Sequence, residues 1–170
     1  MKIERRLIGR VALSGAAASV ASAAAALACS QLENGHAARP MNAVTHIVDG
    51  GEPPPHDGHM GRNTALGFAI HTAASIWWAM FYEGLLGRHA RRGPLQAASA
   101  GALVSGIAYA VDYGVVGERF RPGFERYLSG RSMFAVYAAL AAGFAAAAML
   151  RWRRIPPKAR PLRAARRRAL

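Results

Sequence analysis

Three ionisable side chains interrupt long apolar stretches: His71 and Glu83 in "GFAIHTAASIWWAMFYEGLL", and Asp112 in "LQAASAGALVSGIAYAVDYGVVG". An imidazole and a carboxylate in such a setting can share a hydrogen bond, hold a metal ion or pass a proton. The plainest reading is a buried His71–Asp112 hydrogen bond that fixes helix register. Adding His46 gives two histidines and a carboxylate, a ligand set suited to Zn, Fe or Cu. His46, His71 and Asp112 are therefore the candidate metal ligands, and a transition metal is the cofactor they would imply. A proton relay through His71, Asp112 and Tyr109 is the third option. His56, Asp57 and His59 lie in "DGGEPPPHDGHMGR", where Gly and Pro predict an irregular, solvated loop. Glu83, close to Arg88 and Arg91 in sequence, reads as an interfacial ion pair with one of them.

The elements that must position these groups follow from the hydropathy pattern. The chain is 52% hydrophobic and 18% charged, and its charges are segregated from four apolar runs at 11–28, 64–87, 95–117 and 132–150. Roughly 20 mostly apolar residues suffice to cross about 30 Å of hydrocarbon. The expected fold is all-α: an integral membrane four-helix bundle with helices at about 7–29, 64–87, 95–117 and 131–150. In the first connecting loop, "RPMNAVTHIVDG" predicts a short interfacial helix with Met41, Val44, Ile47 and Val48 partly immersed. The Arg-rich, Pro-broken segment 155–170 has no apolar face and is expected to be a disordered basic tail.

Charge placement gives an orientation. Lys2, Arg5, Arg6 and Arg10 precede the first run; Arg88, Arg91 and Arg92 fill the link between the second and third. The segment from Arg151 onward carries a further dense basic block. With four crossings these groups share one side, leaving Arg39, Arg62, Arg119, Arg121, Arg126 and Arg131 on the other. The positive-inside rule then puts both termini in the cytoplasm. The net charge of +13 forms blocks flanking apolar runs rather than a stripe, which argues against specific nucleic-acid binding and for anionic lipid headgroups as partners of the basic tail. The start of the chain also has the layout of a secretory signal, ending in "ALAC" before Cys29. Its uncharged core is longer than the usual 7–15 residues, which favours retention as a membrane helix.

Depth and phase link His71 to Asp112. At 1.5 Å per residue, His71 lies roughly 10 Å and Asp112 roughly 8 Å below the same surface. The short link after the second run makes the two helices antiparallel neighbours. His71 shares a face with Ser75, Trp78 and Tyr82, and Asp112 with Ser105, Ala108 and Tyr109, so both faces suit a bundle interior. Ladders of small residues, Ala98, Ala102, Gly106, Ala110 and Gly114, then Ala135, Ala139, Gly143 and Ala147, read as packing seams between helices in lipid.

The series "NAVTH", "HTAASIWWAMFYE", "VDYGVVGERFRPGFERYLS" and "VYAALAAGFA", in that order, resembles a group of small, uncharacterised inner-membrane proteins of Gram-negative bacteria. The resemblance spans about residues 38–147, is most specific at "RPGFE…LS", and implies location and topology only. No nucleophile elbow, phosphate-binding glycine loop or zinc-protease motif is present. The expected function is therefore non-enzymatic: an inner-membrane protein that supports or assembles with other membrane components, or with a second copy of itself. The alternative is a metal-binding membrane protein, serving redox or metal handling through the His/Asp cluster.

Overall fold

The computed structural model describes residues 2–50 and 59–153, and every described element is helical. The elements are α1 (Lys2–Asn34), α2 (Arg39–Ala43), α3 (His46–Asp49), α4 (Arg62–Leu85), α5 (Gly87–Ala90), α6 (Pro94–Gly114) and α7 (Gly130–Arg153). Two single 3-10 turns, Glu118–Phe120 and Phe124–Arg126, lie between α6 and α7. Four of the helices, α1, α4, α6 and α7, are long and apolar enough to cross a membrane. His56, Asp57 and the tail 155–170 lie outside the described residues.

Local chemistry sets the helix ends. The Ala-rich α1 contains no proline and continues through Cys29 until Gly35, whose φ of 73° supplies the left-handed turn that closes a helix. Its last turn thus extends beyond the apolar run, bringing Glu33 and Asn34 to the far end of the bundle. Pro94 opens α6 at a position where no backbone donor is needed.

The four long helices run alternately up and down. α1 packs against both α7 and α4, and α7 against α6, whereas α4 and α6 meet only sparsely. Thus α4 and α6 are antiparallel but stand on opposite flanks of α1 and α7, with a cleft between them. The central pair can approach because Gly143 faces α1: a Cβ there would lie 2.4 Å from the Ala18 Cα. Ala18, Ala145 and Ala148 are buried in one core cluster, in which Tyr82 stacks on Phe144 with ring centroids 5.0 Å apart. At the end where α1 begins and α7 stops, the terminal end, the Tyr82 hydroxyl donates to the Ala97 carbonyl at 3.3 Å and ties α4 to α6.

The two small-residue ladders have different fates. On α7, Gly143 and Ala147 are buried, as a seam requires. On α6, all five members from Ala98 to Gly114 are exposed, and the buried face is Ala97, Ala100, Gly101, Val104, Ser105 and Ala108. The reason is geometric. Four-residue spacing places small residues on neighbouring turns but does not fix which side of the helix faces the bundle, and on α6 the packed side runs through Ala97, Gly101 and Ser105. The α6 ladder is therefore no seam within this chain.

The loop end is closed by protein. α2 crosses α4 so tightly that a Cβ on Gly67 would sit 1.7 Å from the Met41 carbonyl oxygen. Met41 and Val44 are 1% and 3% exposed and pack with Ala26, Phe124 and Met133. The short helix expected within 39–50 is thus two shorter ones, and two of its apolar residues face the bundle rather than a bilayer; of the four, Val48 alone is broadly exposed. Thr64 donates to the Asn42 side chain at 2.7 Å, and the Asn42 amide donates to the His59 carbonyl at 3.0 Å. Across the end, Glu33 accepts from the backbone N–H of Ser129 at 2.9 Å and from the Ser132 hydroxyl at 2.6 Å, fastening α1 to the start of α7.

Candidate functional site: a polar cavity between α4 and α6

The sparse contact between α4 and α6 leaves a cavity of about 90 Å³ near the loop end. Ser22, His71, Ser75, Asp112 and Tyr137 give it polar walls; Val44, Ile47, Phe120, Pro122 and Phe124 roof it. It has room for several water molecules. His71 and Asp112 therefore do reach one cavity, from opposite flanks, as their matched depths require.

Each nonetheless has a different partner from the expected one. His71 Nε2 lies 2.9 Å from the Ser22 hydroxyl on α1, and the His71 ring tilts against Phe124 at 5.8 Å. Ser22 also donates to the Ala18 carbonyl at 2.8 Å. With the single serine proton spent there, Nε2 is the donor, and the neutral Nε2–H tautomer leaves Nδ1 as an acceptor. Asp112 accepts from the Tyr137 hydroxyl on α7 at 2.6 Å. Tyr137 is held in turn by Ser105, which donates to its carbonyl at 2.5 Å, and by the edge of Tyr109 at 5.2 Å. Tyr109, the phenol expected in a relay, is half exposed and contributes a ring edge; the phenol on Asp112 is Tyr137.

His46 stands apart. Its Nδ1 lies 2.6 Å from the Ala43 carbonyl, and its Nε2 is buried without a hydrogen-bond partner among the described residues. Gly123, at φ 82°, brings the second 3-10 turn against it; a Cβ there would lie 3.4 Å from His46 Cε1. Among the described residues no three His, Cys, Asp or Glu side chains come together as a metal-ligand set, so His46, His71 and Asp112 do not form the single cluster expected of them.

A second polar group lies at the opposite end. Glu83, 1% exposed, accepts from Ser14 at 2.6 Å and from Arg151 through a short ion pair. Arg91 Nη1 lies 4.0 Å from its other oxygen. The expected partner Arg91 is thus present, Arg88 is not in contact, and Arg151 of α7 carries the main interaction. Arg91 itself is held below the usual guanidinium range, first by burial and then by Arg10, against the opposing pull of Glu83.

Ser14, Ser19 and Ser22 form the device that sequence reasoning missed. They bond in turn to Glu83, Thr72 and His71, so α1 meets α4 at three levels. Their recurrence on one face of an Ala-rich run was the available signal. Tyr137, alone in an otherwise apolar run, was the other. Compared with known families, characterised proteins and solved structures, the chain matches none.

Proposed function

We propose that the chain is a multi-pass protein of the bacterial inner membrane that catalyses no reaction and acts by assembling with another membrane component or a second copy of itself. Its polarity is inverted with respect to a water-soluble bundle. Ser14, Ser19, Ser22, Glu83 and Ser105 are buried, whereas Val20, Trp77, Leu103 and Phe134 are exposed. Such a surface suits lipid, and both termini lie on the cytoplasmic side by the positive-inside rule. The serine bonds of α1 support its retention in the bundle. The tail contacts anionic headgroups rather than nucleic acid, and the resemblance to small inner-membrane proteins supports the same location.

The observation that carries assembly is the outward α6 ladder. A Cβ at Gly106 would meet nothing within 4 Å among the described residues, yet small residues at this spacing admit a close helix in lipid. The test is disulfide trapping in native membranes, with Cys29→Ser and single cysteines at Ala102, Gly106 and Ala110. A cross-link from these positions, but not from Phe68→Cys on α4, is expected. Absence of cross-links from all three would overturn the reading. Reporter fusions at Gly50 and at the C-terminus test orientation; a cytoplasmic signal at Gly50 would reverse it.

The second reading, a metal-binding protein, draws support from the shared cavity of His71 and Asp112; His46, though apart from them, has a buried Nε2 with no hydrogen-bond partner among the described residues. Metal analysis of detergent-purified protein, wild type against His71→Ala, separates the two. Stoichiometric metal lost on substitution would favour this second reading.

A further inference from the structure

Positive charge at the terminal end exceeds what Glu83 can neutralise. Arg151, from α7, and Arg91, from the α5 link, converge on this one carboxylate, with side chains 19% and 30% exposed. Arg10 on α1 and Arg88 on α5 are the further charges that Arg91 feels. Two guanidinium groups, from α7 and the α5 link, thus face a single acid, while Arg10 and Arg88 add positive charge around Arg91.

The hydrogen bonds of the carboxylate leave Arg91 out. One oxygen takes the Ser14 hydroxyl and Arg151, and the other stays 4.0 Å from Arg91, beyond hydrogen-bond reach. Two donors are left over: Arg91 Nη1 and Arg151 Nε are buried with no hydrogen-bond partner among the described residues. Buried charged donors without acceptors are costly, and planar guanidinium forks match the oxygens of a phosphate.

We propose that Arg10, Arg88, Arg91 and Arg151 form a binding site for a phosphate group of the kind carried by an anionic phospholipid, with Glu83 and Ser14 positioning Arg151. The site rests on the membrane reading above for its lipid source, because only in a bilayer does this end of the bundle face headgroups. It differs from the contacts of the basic tail in being built from folded elements, with fixed donors rather than diffuse charge.

The experiment measures lipid binding by the full-length protein in detergent, using native mass spectrometry with phosphatidylglycerol and with phosphatidylcholine. Phosphatidylglycerol should be retained in preference. The double variant Arg10→Gln/Arg91→Gln should weaken its binding roughly thirtyfold, the effect of two arginines at a headgroup surface. Neutralising Arg166, Arg167 and Arg168 in the tail should weaken it less. Equal loss from both variants would overturn a built site in favour of diffuse charge, as would equal retention of the two lipids. Arg88→Gln, at an exposed position, provides a second variant if the double variant unfolds; no loss of binding from either would overturn the site. Inorganic phosphate supplies the other arm. Competition only at concentrations far above those of lipid supports a headgroup ligand, whereas displacement by phosphate at comparable concentration would overturn the lipid source. Recovery of the protein from the soluble fraction of cells would overturn the membrane reading, and phosphate protection against heat unfolding would still report on the arginines.

Discussion

The two ends of the bundle treat a buried carboxylate in opposite ways. At the terminal end, Glu83 meets a guanidinium and a serine hydroxyl. At the loop end, Asp112 accepts from the phenol of Tyr137 and lines a cavity roofed by two 3-10 turns and α3-side residues. One end fastens helices with compensated charge. The other keeps a carboxylate beside a space large enough for water. Stability therefore depends on an ion pair at the first end and on hydrogen bonds without a paired charge at the second, and substitutions can separate the two.

The largest effect should come from Glu83→Ala. It leaves Arg151 without its counter-charge and Ser14 without its acceptor, and removing one member of a buried pair costs about 3–5 kcal/mol. Unfolding in mixed detergent should show a loss in that range. A loss below about 1 kcal/mol, the usual worth of an exposed pair, would show that the terminal end is no different from a surface ion pair. Tyr137→Phe should follow at about 1–3 kcal/mol, since it strands the Asp112 carboxylate without a donor. The same method measures it, and an unchanged midpoint would mean that water in the cavity replaces the phenol.

The isosteric changes sharpen the contrast. Glu83→Gln removes the charge that Arg151 and Arg91 need, whereas Asp112→Asn keeps an oxygen to accept from Tyr137. The first should cost at least about 1.5 kcal/mol, the scale of a hydrogen bond to a charged group, and the second less than about 1 kcal/mol. Equal costs measured side by side would erase the distinction between the two ends.

Much of this arrangement was legible from the pattern of residues, for identifiable reasons. Long uncharged runs reveal helices because length and apolarity are local properties, and all four long helices appear where the runs lie. Partner choice is not local. Asp112 has matching depth with His71, but depth is a coordinate along the axis and says nothing of which helix stands alongside. α7 comes between them in the packing order, and Tyr137 reaches Asp112 first. The α6 ladder failed as a seam for a related reason: four-residue spacing identifies small residues without fixing which side of the helix they face. The loop end was least legible, because α2 is anchored by a close approach between Gly67 and the Met41 backbone that no periodicity encodes.

The smallest effect concerns the pair that first drew attention. A direct His71–Asp112 hydrogen bond would make the double variant His71→Ala/Asp112→Ala cost much less than the sum of the singles, because each single change would strand the other group. The structure gives each its own donor or acceptor, Ser22 for His71 and Tyr137 for Asp112. Removing one therefore leaves the other's hydrogen bond intact, and coupling should fall within about 0.5 kcal/mol, the scatter of independent sites. By the same logic, Asp112→Ala combined with Tyr137→Phe should couple well above that scatter, since those two side chains touch. Running both cycles in one detergent system places the two couplings on one scale. Strong coupling in the His71 cycle would mean that water in the cavity joins the two groups, and the loop end would then hold a connected network rather than two separate bonds.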